Sequence, residues 1–191
     1  DYMLNFGISD ETGIDLPNES AGLVSNLDSP RDLEYATASF GQGIAMTPIN
    51  TVRALSTLAN GGRLVTPHLG KKIKYTSGLS KNITFPDERV LKEESAEEIT
   101  RMLVNVVDTA LLEGTVKFDN YSVAAKTGTA QVGVHNEYIH SWMVGFFPYE
   151  HPHYAYAVVL ERGPAGTTVG APAAVRSFFE WLHEYAPHYL E

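Results

Sequence analysis

Ala125-Lys126-Thr127-Gly128-Thr129-Ala130-Gln131 decides how this chain is read. The stretch lies on a predicted strand, roughly 122–132, directly after a helix and before a second strand. Alone, Lys-Thr-Gly is weak, since about a few per cent of chains this long would contain it by chance. Its setting gives it chemistry. A peptide can lie antiparallel along an edge strand and exchange backbone hydrogen bonds with it. Gly128 leaves room for that close approach. Lys126 supplies a positive charge beside a substrate carboxylate or a catalytic hydroxyl. Thr127 and Thr129 add hydroxyl donors, and the Thr129 N–H is suited to stabilising an oxyanion in acyl transfer. Lys126, Thr127 and Thr129 are therefore expected to face one accessible groove on an edge strand. The plain alternative is an ordinary strand with one lysine in solvent.

Working outward, two more strands are expected over 141–148 and 154–162, joined by a short link through Pro148 and Pro152 that favours antiparallel pairing. Tyr154–Leu160 is too apolar on both faces for an edge facing water. A last helix from Pro172 is expected to turn Val175, Phe178, Phe179 and Leu182 inward. Upstream, Ser95 and Glu98 form a capping-box pattern. Ile99, Met102, Leu103, Val106, Val107, Ala110 and Leu111 mark the face of the helix that follows. Thr47-Pro48 opens another, with an apolar stripe of Ile49, Val52, Leu55 and Ala59 closed by Asn60-Gly61-Gly62. A short helix is expected after Ser29-Pro30, broken by Gly41-Gln42-Gly43. Short strands are expected near Leu64-Val65 and Lys72–Tyr75, with polar loop after them.

The chain has 191 residues, the size of one domain, and 43% of them are hydrophobic, enough for a core. With 14 Lys plus Arg, a formal net charge of −9 and no basic block, no nucleic-acid partner is expected. The absence of cysteine excludes disulfide and thiolate chemistry. No apolar run is long enough to span a membrane, and no signal peptide is visible. Asp1–Phe6 reads like a helix cut open, so the chain is expected to be a fragment.

Lys-Thr-Gly is the third signature of penicillin-binding proteins and class A β-lactamases, after Ser-x-x-Lys and Ser-Asp-Asn. Phe40-Gly41-Gln42-Gly43 with Met46-Thr47-Pro48 resembles the helix entry after the second motif of class B penicillin-binding proteins. Leu58–Gly62 resembles the end of that helix, and Glu113-Gly114-Thr115 the turn before the Lys-Thr-Gly strand. Gly13–Pro17 also fits, and His140–Pro148 looks like the following strand of the elongation-type enzymes. The resemblance implies an α+β, β-lactamase/transpeptidase-like fold, an antiparallel sheet flanked by helices. Residues 1–191 would be the C-terminal portion of that transpeptidase domain. Lys126, Thr127, Gly128 and Thr129 would be catalytic, with Thr127, Thr129 and Gln131 binding substrate. The implied parent is a serine-type D,D-transpeptidase, acting on peptidoglycan stem peptides that end in D-Ala-D-Ala and acylated by β-lactams. It would be anchored in the cytoplasmic membrane with this domain outside. No cofactor is implied.

The departures are as informative. No Ser-x-x-Lys occurs in the 191 residues, so the nucleophile, its lysine and the second motif are expected upstream, and this chain alone is expected to be inactive. Ser80-Lys81-Asn82 matches Ser-x-Asn but follows the Gly41–Gly62 region, whereas the family places its motif before it. The missing N-terminal half is then an expected partner. Without its two strands, Val158–Leu160 would lie on an unpaired edge open to self-association. The alternatives are a D,D-carboxypeptidase, a β-lactamase-type hydrolase or a non-catalytic binding module. His151-Pro152-His153 beside Glu150 reads as a solvated turn rather than a metal site. His135 and His140 flank a hairpin-like connection and are expected on a surface loop. No Gly-x-Ser-x-Gly elbow supports a serine triad. Phe178, Phe179, Trp181 and Tyr185 are expected to be helix packing.

Overall fold

A threonine before a proline is a natural helix start, and here it acts as one. Thr47 Oγ1 accepts the Asn50 N–H at 3.2 Å, and Pro48 sits in the first turn of helix α3 (Pro48–Ala59). The helix stops at Asn60, followed by Gly61 and Gly62, both at positive φ. Gly62 is doubly constrained, because a Cβ there would lie 2.2 Å from the Leu91 carbonyl oxygen. This computed structural model describes residues 2–29, 31–114, 117, 122–133, 135, 137–164 and 170–189, without the side chains of 112 and 113. It divides into two units, Asp1–Ser95 and Ala96–Glu191.

The first unit holds α1 (Tyr2–Asn5), α2 (Asp32–Ala38), α3 and two small antiparallel sheets. One pairs β1 (Arg63–Val65) with β4 (Asp87–Arg89), the other β2 (Lys72–Lys74) with β3 (Ser80–Asn82). Ser80–Asn82 is therefore an exposed hairpin strand rather than loop. Helix α2 begins at Asp32; Pro30, expected in its first turn, lies outside the described residues. Ile49, Val52, Leu55 and Ala59 of α3 are only half-buried, and its fully buried residues are Asn50 and Thr57. The Asn50 amide is drawn inward by the Asp10 carbonyl, to which its Nδ2 donates at 3.1 Å. A polar tie, not an apolar stripe, sets that helix face.

Two carboxylates clasp the segment from Thr12 to Glu19. Glu19 accepts the N–H groups of Thr12 (2.7 Å) and Gly13 (3.0 Å) and the Thr12 hydroxyl. Asp15 accepts the N–H groups of Leu69 (2.6 Å) and Gly70 (2.7 Å). The Leu69 and then the Gly70 N–H hold the Asp15 carboxyl below its ordinary range. Burial pushes Glu19 up, but the Thr12 hydroxyl and the N–H groups of Thr12, Gly13 and Ile14 outweigh it, and its carboxyl is also lowered. A lowered carboxyl stabilises the fold above its unfolded pKa of about 4, and that stability is lost as pH falls through the folded value. The melting temperature of this unit is expected to fall on acidification below about pH 4, and less steeply in Asp15→Asn. Equal acid sensitivity in the variant would remove Asp15 from that role.

Helix α4 (Glu93–Asn105) leads into the second unit. It starts before Ser95, so Ser95 and Glu98 lie inside the helix and form no capping box; Glu93 and Glu94 occupy its first turn, where the dipole favours carboxylates. The expected apolar face holds in part: Val107 is buried and Leu111 packs against the core, but Ile99 and Met102 are exposed and Ala96 and Thr100 take the buried positions there. Beyond Asn105 the chain widens into a π-helical stretch, Val106–Ala110, then tightens into a 3-10 turn, Leu111–Gly114. A wider turn rotates every following side chain, so one 3.6-residue period cannot describe the whole run. Gly114 closes it at φ 81°; Thr115 is outside the described residues.

Three antiparallel strands follow in the order β5 (Ala124–Val132), β6 (Tyr138–Phe147), β7 (Tyr154–Pro164). One face of this sheet carries Ala125, Met143, Phe147, Tyr156 and Val158. It packs with Val107 and Val123 against Val175, Phe179 and Leu182 of α5 (Ala171–Tyr185). Phe179 meets the Phe147 ring edge-on at 4.4 Å and the Tyr156 ring at 5.4 Å. Gly145 makes that layer possible, since a Cβ there would stand 2.6 Å from the Tyr156 hydroxyl and 2.8 Å from Ala125 Cβ. Phe178, expected inward, is 54% exposed. Positions 171, 175, 179, 182 and 186 form the buried row, and 178 falls beside it with Trp181 and Tyr185, stacked along the flank.

Candidate active site

Strand β5 is an edge of its sheet, paired only through β6 among the described residues. Alternation then sorts its side chains. Ala125 is in the core facing α5, which puts Thr127, Thr129 and Gln131 on that same face. Lys126, Gly128 and Ala130 lie on the other, where Gly128 stands opposite Trp142. Lys126 and Thr127 therefore lean to opposite faces of the strand, because neighbours on a strand alternate. What they share is the open edge.

The backbone shows which groups face that edge. The Ser122 carbonyl is taken by the Tyr149 N–H at 3.0 Å, and the Phe147 carbonyl by the His153 N–H at 3.2 Å. Both assign even-numbered β5 residues to the β6 ladder. The N–H and C=O groups of Thr127, Thr129 and Gln131 point outward, unpaired by β6. Consistently, Lys126 Nζ donates to the Thr127 carbonyl oxygen at 2.8 Å, which brings its charge to the edge. No acid pairs with Lys126 within salt-bridge distance among the described residues.

Gly128 is not demanded by packing. A Cβ there would meet only Trp142 Cβ, at 3.7 Å, an ordinary contact. Gly145 and Gly62, by contrast, are required by their neighbours. A glycine the fold does not need, on an open edge between Thr127 and Thr129, leaves space for something outside the chain. Chemically, the edge offers a cation, an outward N–H at Thr129 for a developing oxyanion, and carbonyls to receive a peptide's N–H groups. A cleft of about 500 Å³ lies instead in the first unit, lined by Arg53, Arg89, Asp10 and Glu88, with no β5 residue.

Of the other candidates, His135 lies in the β5–β6 turn, but His140 is a half-buried residue of β6 and not of a surface loop. Among the described residues, no three His, Cys, Asp or Glu side chains are grouped to hold a metal, and no helix is long and apolar enough to cross a membrane. Sequence reading missed Ser141. Its Oγ accepts the Ala171 N–H at 3.0 Å and so caps α5, while Gly170 leaves it room. Serine is a common cap, but no local pattern tells that it caps a helix thirty residues away.

Comparison with known proteins places these features in context. The family model described as the penicillin binding protein transpeptidase domain matches residues 1–179. Stage V sporulation protein D of Bacillus subtilis is 35% identical over 188 residues, covering 90% of this chain and 28% of that protein. Peptidoglycan D,D-transpeptidase MrdA of Haemophilus influenzae is 28% identical, covering 97% of this chain and 33% of that protein. The chain thus spans a third or less of the length of these relatives. The crystal structure of penicillin binding protein 3 from Mycobacterium tuberculosis with aztreonam superposes with a TM-score of 0.82 at 26% identity, covering 97% of this chain and 46% of that one.

Proposed function

Because the chain belongs to the penicillin binding protein transpeptidase domain family, we propose that it is the C-terminal portion of the catalytic domain of a peptidoglycan D,D-transpeptidase. The observation that carries this reading is the open β5 edge, with Lys126 and the outward backbone of Thr127 and Thr129. A stem peptide ending in D-Ala-D-Ala lies antiparallel along it, with Gly128 giving room for close approach and Gln131 contacting its far end. Residues 1–191 contain no Ser-x-x-Lys, so the attacking serine belongs to another part of the protein.

The serine oxygen adds to the carbonyl of the penultimate D-alanine, and the Thr129 N–H receives the oxyanion. The C–N bond breaks, the terminal D-alanine leaves with a proton, and a serine ester remains. An amine of a neighbouring stem peptide then attacks the ester and releases the serine. Lys126 supplies positive charge to the substrate carboxylate and the catalytic hydroxyl, and Thr127 and Thr129 contribute hydroxyl donors. A β-lactam acylates the same serine; the aztreonam complex of a structural relative supports this. The protein works on the outer face of the cytoplasmic membrane. The rest of the domain pairs with the outer edge of β7, a strand that among the described residues pairs only with β6.

The test is intact-mass labelling. The full-length protein incubated with a fluorescent penicillin gains one adduct, on a serine outside residues 1–191, and the 191-residue chain gains none. An adduct on the short chain, or an unlabelled full-length protein, overturns the reading. Release of D-alanine without cross-linked product from the full-length protein would assign it to the carboxypeptidases.

A further inference from the structure

On the face of the sheet that carries Lys126, the edge strand is low. After Lys126 come Gly128, with no side chain, and Ala130, with a single methyl. Directly across on β6 stand Trp142, opposite Gly128, and His140, opposite Ala130. A ligand on the β5 edge therefore meets no tall β5 side chain between itself and these two rings.

The His140 ring is held by an unusual piece of backbone. The β6–β7 register slips between Ile139 and Ser141, so His140 is opposed by two residues, Glu161 and Arg162, in a bulge. Arg162 is left-handed at φ 55°, a conformation that disfavours any residue but glycine. The bulge turns the Arg162 N–H onto a side chain: it donates to His140 Nδ1 at 3.2 Å. The Arg162 guanidinium meanwhile lies over the Tyr138 ring, 5.1 Å from its centroid, which anchors the bulge. A backbone N–H can only donate, so Nδ1 is an acceptor and the ring proton sits on Nε2. The two ring nitrogens point in nearly opposite directions. With Nδ1 engaged from β7, the Nε2–H is left without a partner among the described residues.

Resting on the transpeptidase reading, we infer that His140 is a substrate-positioning residue whose Nε2–H donates to an acceptor oxygen of the substrate, carboxylate or amide carbonyl, lying over the Gly128–Ala130 dip on the Trp142 face. Backbone strain and bulges collect where a side chain must be aimed, and here both aim one imidazole.

Two amide substitutions separate aiming from scaffolding. In His140→Asn the side-chain oxygen replaces Nδ1, keeping the Arg162 contact but losing the presented donor. In His140→Gln the amide N–H₂ reaches the place of Nε2, keeping the donor and losing the contact. Acylation of the full-length protein by fluorescent penicillin is measured as a second-order rate. His140→Asn is expected about tenfold slower, with the loss in apparent affinity and an unchanged melting temperature, and His140→Gln within about threefold of the original protein. The reverse order, with Asn as fast as the original and Gln impaired, would assign His140 a structural role and overturn the proposal. Equal rates in all three would do the same. If the original protein takes no label at all, the transpeptidase reading fails instead, so the two failures are distinguishable.

Discussion

Lys126→Ala in the full-length protein is expected to slow acylation by penicillin about 30- to 1000-fold, the range for removing an electrostatic contact worth about 2–4 kcal/mol in a transition state. The expectation follows from geometry. The ammonium reaches the outward Thr127 carbonyl at the edge of β5 that faces away from β6. Lys126 is exposed and, among the described residues, its hydrogen bond is to its neighbour Thr127, so the fold should hardly register its loss. The measurement therefore pairs labelling kinetics with a thermal melt. An unchanged acylation rate would return Lys126 to an ordinary solvent-facing lysine. A large fall in melting temperature would mean that its role is structural.

Phe179→Ala is expected to destabilise the second unit by about 3–5 kcal/mol, the usual range for emptying a buried aromatic site. Phe179 is 1% exposed and is held edge-on between Phe147 and Tyr156, where α5 meets β6 and β7. Its neighbour supplies the control. Phe178→Ala, on the exposed flank, should cost less than about 1 kcal/mol. Denaturant unfolding of both variants checks the rotational setting of the helix. If Phe178→Ala proved the more damaging, the buried row would have to be redrawn through 178.

Elements whose reading depends on local chemistry were legible in the sequence. Thr47-Pro48 capped a helix, Asn60-Gly61-Gly62 ended it, and three strands formed in the predicted order with β5 on the edge. Failures came where a distant partner decides. Nothing near Asn50 announces that the Asp10 carbonyl will bury it, and nothing near Ser141 that it will cap α5. Ile99 and Met102, ahead of the π-helical stretch at Val106–Ala110, were expected inward, but Ala96 and Thr100 hold the buried row there. Strand alternation leans Lys126 and Thr127 to opposite faces, so the open edge is what they share. The aimed ring of His140 was beyond reach, because it depends on Arg162 adopting a conformation its residue type disfavours.

The order β5-β6-β7 also has a kinetic side. Every rung of this sheet joins strands adjacent in the chain, across links of a few residues, 133–137 and 148–153. Closing such loops costs little entropy, so the sheet can zip up from near-neighbour pairings without waiting for remote segments. The helix that covers it arrives next in the chain and brings Phe179 onto a surface already laid down. Chain topology thus sets the sheet up to order early, with the edge that carries Lys126 exposed from the start.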